Sequence, residues 1–163
     1  MHKRGFTVFF AVLVSSLALA IGLAVYDLLV RELALSQTAT QSQYAIYASD
    51  MGAECALYWD AKYNTSDSAF ATSSTFTVIP SSPAVTCNGQ DITAQLRAPA
   101  TSANAATTTF TLSTVSGNAA APCATVTVAK AGNPSQTTVT SHGYNTCSST
   151  GIVRLERALQ INY

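Results

Sequence analysis

The residues best suited to covalent chemistry are the four cysteines, Cys55, Cys87, Cys123 and Cys147. They lie 32, 36 and 24 positions apart, without the short Cys-x-x-Cys pairs that bring thiolates to one zinc ion. Two disulfides formed outside the cytoplasm suit that spacing better. All pairings are open in principle, but Cys123 and Cys147 flank two candidate strands joined at Gly132-Asn133-Pro134. A hairpin brings those two together and leaves Cys55 for Cys87, each bridge stabilising the fold by roughly 3 kcal/mol through loop closure. Other reactive side chains are sparse. His2 and His142 are the only histidines, and no nucleophile motif or phosphate-cradling glycine loop accompanies them. His142 reads as a turn or strand-end residue, and Asp91 and Glu156 are too far apart in sequence to be paired as acid and base by spacing alone. The expectation is a chain with no catalytic residue, cofactor or metal, on which chemistry is done rather than one that does it.

Export needs a membrane element, and Phe6 to Tyr26 supplies one. Twelve large apolar residues in that run each favour insertion by about 0.3 to 0.6 kcal/mol, roughly −4 to −7 kcal/mol together. As a helix the run matches a hydrocarbon core, with Asp27 at the far boundary. Lys3 and Arg4 precede it and mixed charges follow, so the positive-inside rule leaves the N-terminus in the cytoplasm of a single-pass chain. A secretory signal peptide cut after Ala20 is the rival reading, since Ala18-Leu19-Ala20 has the small-x-small pattern. The apolar stretch continues past it through Ile21, Leu23, Val25, Leu28, Leu29 and Val30.

Lys3-Arg4-Gly5-Phe6-Thr7, a basic leader ending in Gly before Phe and a long apolar helix, resembles the class III signal of type IV pilins and pseudopilins. The resemblance implies cleavage by a membrane prepilin peptidase between Gly5 and Phe6 and methylation of the Phe6 amine. It also implies other pilin subunits as partners of the helix and the cell membrane as its store. Two departures stand out. The acid that the family's major subunits carry at the fifth mature position is here Phe10, and the late helix-kinking proline is replaced by Asp27. The first departure is similar to minor pilins and tip-located pseudopilins, and implies a minor or tip subunit rather than the shaft.

Composition agrees with an exported domain. Only 10% of residues are charged and the net charge is zero. Removing residues 1–5 takes two of 8 basic residues and none of 8 acidic ones, leaving a net of −2. There is no basic footprint for nucleic acid.

Four segments follow: a leader at 1–5, a transmembrane helix at 6–30, its extracytoplasmic continuation at 31–62, and an exported antiparallel β-sheet domain at 63–163. The helix has no Pro or Gly between Leu23 and Met51, and Asp27 and Arg31 are spaced to pair. Ser16, Ala20 and Ala24 recur every fourth residue, as do Ala18 and Gly22; such rows let helices approach closely in lipid. Tyr44, Tyr47, Ala48, Met51, Cys55 and Tyr58 form an apolar stripe expected to face the sheet, with Tyr58 and Trp59 as core anchors.

Period-two runs predict strands at Thr75 to Ile79, Asp91 to Arg97, Thr107 to Val115, Ala124 to Lys130, Gln136 to Ser141 and Ile152 to Asn162. Ile92, Ala94, Leu96, Phe110, Leu112, Val126 and Val128 should be buried beneath a wet, Thr-rich face. In the last strand Arg157 falls on the apolar face and should find an acidic or carbonyl partner on the helix or a loop, Asp50 and Glu54 being possible acids. The fold class expected is α+β, a long N-terminal helix packed on a C-terminal antiparallel sheet. A filament subunit is the leading functional expectation. A single-pass, membrane-anchored binding domain that does not polymerise is the alternative.

Overall fold

The computed structural model describes residues 4–62, 68–73, 84–132, 136–150 and 153–163, which form two compact units, Met1–Thr40 and Gln41–Tyr163. Helix α1 (Arg4–Lys62) is continuous from the first into the second.

In the first unit every side chain from Phe6 to Thr40 is exposed. The hydroxyls that weaken helix propensity are absorbed locally. Ser15 and Ser16 donate to the carbonyls of Val12 and Leu13, and Thr38 and Thr40 to those of Ala34 and Ser36, at 2.9 to 3.1 Å. The polar stretch from Ser36 therefore stays helical, as expected from its lack of breakers. Asp27 and Arg31 pair at 3.0 Å on the exposed surface.

The second unit holds a five-stranded antiparallel meander, β3 (Ala100–Ser102), β4 (Ala105–Ser113), β5 (Cys123–Ala131), β6 (Gln136–Tyr144) and β7 (Glu156–Asn162), ordered as in the chain. A small hairpin, β1 (Thr86–Cys87) and β2 (Gln90–Asp91), and a helical turn, α2 (Thr93–Leu96), precede it. The hairpin turn is Asn88-Gly89, with both residues at positive φ as a two-residue primed turn requires. The alternation in β4 and β5 is as the sequence indicates, whereas β7, at the sheet edge, buries no apolar face and is exposed at every residue but Ile161. Phe110, Leu112, Val126 and Val128 are buried, while Thr109 and Thr111 are exposed on the other face. Phe70 stacks on Phe110 at 6.0 Å and, with Val85, Ile92 and Leu96, closes the core beside the helix.

Residues 45–56 of α1 cover the sheet, but not by the stripe expected. Ala45, Ala48, Ser49, Gly52, Ala53 and Ala56 are buried, whereas Tyr44, Tyr47 and Tyr58 are about half exposed or more. Met51, Cys55 and Trp59 pack only partly against the core. Close approach is the reason. A Cβ on Gly143 would overlap the Ala45 carbonyl and Ser49, and one on Gly52 would come within 2.6 Å of Ser141 Oγ and 2.7 Å of Val126. Ser49 Oγ donates to the Ser141 carbonyl at 2.9 Å across this contact. Bulky residues cannot enter, so the aromatics turn outward.

Two further expectations change. The run from Asp91 to Arg97 is not one strand: Asp91 ends β2 and accepts the Thr93 N–H at 2.8 Å, and the chain then enters α2 through Ile92. Ile92 and Leu96 are then buried on one helical face and Ala94 is exposed. The last strand begins at Glu156 rather than Ile152. The strand expected at Thr75 to Ile79 lies outside the described residues. Beyond Thr107, where β3 pairing ends, the free edge of β4 is met by side-chain amides. Gln95 both donates to and accepts from the Thr111 backbone, and Gln90 does the same for Ser113.

Gly143→Ala is expected to destabilise the fold by about 1–3 kcal/mol through overpacking. Gly22→Ala, where an added Cβ meets nothing within 4 Å, should leave stability unchanged. Denaturant unfolding of the detergent-solubilised chain, followed by Trp59 fluorescence, compares the two.

Candidate functional site

Two features of the chain are built for interaction or covalent constraint: the exposed apolar part of α1 and the junction between the end of α1 and the sheet. Along the first, Ser16, Ala18, Ala20, Gly22 and Ala24 are all exposed. Among the described residues none lies within 4 Å of a Cβ added at Gly22. Gly5 falls in the first turn of α1; Phe6 is 72% exposed and its ring stacks on Phe10, 6.5 Å away. An apolar pair thus occupies the two positions at which the pilin resemblance puts an amine and an acid.

At the junction, the sheet register explains how a charge reaches the core. Ala106, Lys130 and Thr137 form one cross-strand row, and Tyr163 extends it by exchanging backbone hydrogen bonds with Thr137 at 2.8 and 3.0 Å. Lys130 follows Ala124, Val126 and Val128 on the buried face, so its ammonium needs a partner there. Asp60, in the last turn of α1, provides it. Lys130 Nζ lies 2.5 Å from Asp60 Oδ1, with side-chain exposures of 8% and 7%. Ser68 donates to the same oxygen, and Tyr163 donates to Oδ2 at 2.6 Å.

Burial alone would raise the Asp60 pKa. The hydrogen bonds from Lys130, Ser68 and Tyr163 outweigh it, aided by the lysine charge, and hold the carboxyl below its ordinary value. Burial, then the hydrogen bond to Asp60 and its charge, push the Tyr163 phenol well above its ordinary pKa, which keeps it a donor. Sequence reasoning missed this cluster. The available signal was Lys130 itself, a charge at the end of an alternating apolar series.

The cysteines are brought together as Cys55–Cys87 and Cys123–Cys147, with Cα separations of 5.9 and 5.4 Å. The first ties α1 to the β1–β2 hairpin, which is also held by Trp59 Nε1 donating to the Thr86 carbonyl at 3.0 Å. The second joins the start of β5 to the loop after β6. Tyr58 is 55% exposed and meets Trp59 edge to face at 5.3 Å, so only Trp59 acts as an anchor.

Arg157 finds neither Asp50 nor Glu54, both exposed, but donates to Ser42 Oγ at 2.9 Å. Its position opposite Gly143 puts it beside the helix several turns before those acids. His142 is within β6 rather than at a turn or strand end, and its Nδ1 lies 2.5 Å from Glu156 Oε1. Arg154 stacks over the neighbouring Tyr144 ring at 3.8 Å. Asp91 ends β2, where it accepts the Thr93 N–H, and it is not paired with Glu156 in the sheet register. Among the described residues no group of three His, Cys, Asp or Glu could hold a metal ion.

Comparison with protein-family models, curated proteins and solved structures gives no match. The architecture itself is pilin-like: a long N-terminal apolar helix packed on a C-terminal antiparallel sheet, with two disulfides. The helix is long and apolar enough to cross a membrane, and with the disulfides it suggests a membrane anchor carrying an extracytoplasmic domain.

Peptide mapping without reduction should recover Cys55 linked to Cys87 and Cys123 linked to Cys147. Asp60→Ala strands the buried Lys130 and is expected to cost about 3–5 kcal/mol, part of which returns in Asp60→Leu/Lys130→Met. Chemical unfolding midpoints of the three chains measure both effects.

Proposed function

We propose that this chain is a structural subunit of a type IV pilus or pseudopilus-like filament, a minor or tip pilin that acts in assembly and surface contact rather than as an enzyme. The observation that carries the reading is the fully exposed apolar stretch of α1, continuous in one helix with the element that anchors a disulfide-linked sheet domain. Water cannot solvate that stretch favourably; lipid or a bundle of like helices can.

In this reading the helix is first stored in the cytoplasmic membrane with its N-terminus inside. Prepilin peptidase removes residues 1–5 and the Phe6 amine is methylated. The helix then leaves lipid for a bundle of other pilin helices, where Ser16, Ala20 and Ala24 or Ala18 and Gly22 allow close approach. Phe10 cannot pair with a neighbour's amine as a carboxylate would, which favours a subunit present in few copies over the repeating shaft. The exported domain stays outside throughout, and nothing in its charge favours nucleic acid as a ligand.

N-terminal mass spectrometry of the chain from cell membranes and sheared filaments tests the proposal. The expected result is N-methylated Phe6, with copies in the filament fraction. Retained residues 1–5 on every copy and none in filaments would instead indicate a membrane-anchored binding domain. An N-terminus at Ile21 would indicate a secreted protein.

A further inference from the structure

We propose that Lys130 and Asp60 condense to an intramolecular amide, a covalent cross-link between the end of α1 and β5. A primary amine and a carboxyl group are the two halves of an amide, and here they are 2.5 Å apart in a nearly closed site. That distance puts Nζ within about 3.7 Å of Asp60 Cγ, given a C=O bond of about 1.23 Å. Near-attack geometry for nucleophile and carbonyl is about 3–3.5 Å. Held in this way, reacting groups reach effective concentrations of order 10⁵ M or more, which offsets the unfavourable equilibrium of amide formation in water.

The surrounding groups supply what the reaction needs. A proton passes from Nζ to Asp60 Oδ1, converting the ion pair to amine and carboxylic acid; the hydrogen bonds around Asp60 oppose this transfer, so the neutral pair forms only transiently and is drained by the attack that follows. The Nζ lone pair then attacks Cγ, and the Cγ–Oδ2 π electrons move onto Oδ2, where the Tyr163 hydroxyl donates. The Cγ–Oδ1 bond breaks as Oδ1 takes a second proton from nitrogen and leaves as water, with Ser68 bonded to that oxygen. The electrons on Oδ2 return to form the amide carbonyl. One C–N bond is made, one C–O bond is broken and one water is released, with no oxidant, reductant or further reactant.

Tyr163 touches the reacting carboxyl and its phenol remains protonated, so it acts as an oxyanion donor rather than a base. The cross-link would lie five residues along α1 from the Cys55–Cys87 bridge, fixing the same helix end to a different strand. It does not depend on the filament reading: a chain that never polymerises would condense equally well.

Intact mass spectrometry of the purified, fully reduced chain is the test. The expected mass is one water below that of the sequence after any N-terminal processing. Tandem spectra should contain a branched peptide joining Asp60 to Lys130. Lys130→Arg and Asp60→Ala should each restore the missing water, and Tyr163→Phe should slow its loss by roughly 10²-fold. A wild-type chain at its full sequence mass would overturn the proposal, as would a water loss mapped to any other residue.

Discussion

The fold depends on how near α1 comes to the sheet. Where the Ala45 carbonyl faces Gly143 there is no room for even a methyl group, and around Gly52 the neighbours are Ser141, Val126 and Ala124. This contact selects size before hydrophobicity. Ala45, Ala48, Ser49, Ala53 and Ala56 meet the sheet because they are small, and each buries little apolar area. The larger contributions come from the side of the contact, where Phe70, Val85, Ile92 and Leu96 fill the space beside Phe110 and Val126. Covalent and polar ties add to this modest helix interface: Cys55–Cys87, Ser49 to Ser141, Arg157 to Ser42, and Asn145 to Gln41 at 3.0 Å.

The same proximity allows Lys130 to reach Asp60. Toward the end of α1 the sheet face changes from apolar to polar within one cross-strand row, and the helix presents its only acid at that level. A buried charge is costly to hold, but costlier to hold alone, and Asp60 accepts from three separate elements: β5, the segment at Ser68, and Tyr163 after β7. Closing the cluster therefore requires the helix, the following segment and the outermost strand to be placed together. Its specificity for one arrangement is a firmer consequence than any net stabilisation.

Much of this was legible in the sequence because long elements announce themselves. A helix without Pro through its length and strands in which Thr alternates with Phe, Leu or Val leave few alternatives. The failures share a cause. Tyr44, Tyr47 and Tyr58 satisfy an apolar period as well as the alanines do, and only the sheet's Gly143 decides between the two faces. Ile92 and Leu96 are compatible with a strand or with one helical turn, and a local bond from the Thr93 N–H to the Asp91 carboxylate turns the chain toward the helical choice. Lys130 was read as a strand end because its partner lies 70 residues away on another element. The charge of Arg157 points to an acid or a carbonyl as its partner, whereas its position opposite Gly143 gives it Ser42. Pattern gives the elements; the pairwise sizes across their contacts give the faces.

The two parts of the chain treat unsatisfied surface in opposite ways. The sheet domain closes its own hazards: Gln90 and Gln95 occupy the free edge of β4 as substitute peptide groups, and β7 carries Glu156 and Arg157 where an uncharged edge would invite another strand. Its outer face is lined with Thr side chains that water can serve, as at Thr109 and Thr127, 3.4 Å apart. In α1, by contrast, the backbone groups of the helix interior are bonded along the helix while the side chains from Val8 to Tyr26, the two locally bonded serines apart, are apolar and exposed. A helix of that kind has no polar group to satisfy by contact and a large apolar area to remove from water. Lipid meets that requirement, as would any apolar surface of sufficient size. The apolar area still open to water therefore lies mainly on the helix rather than on the sheet domain.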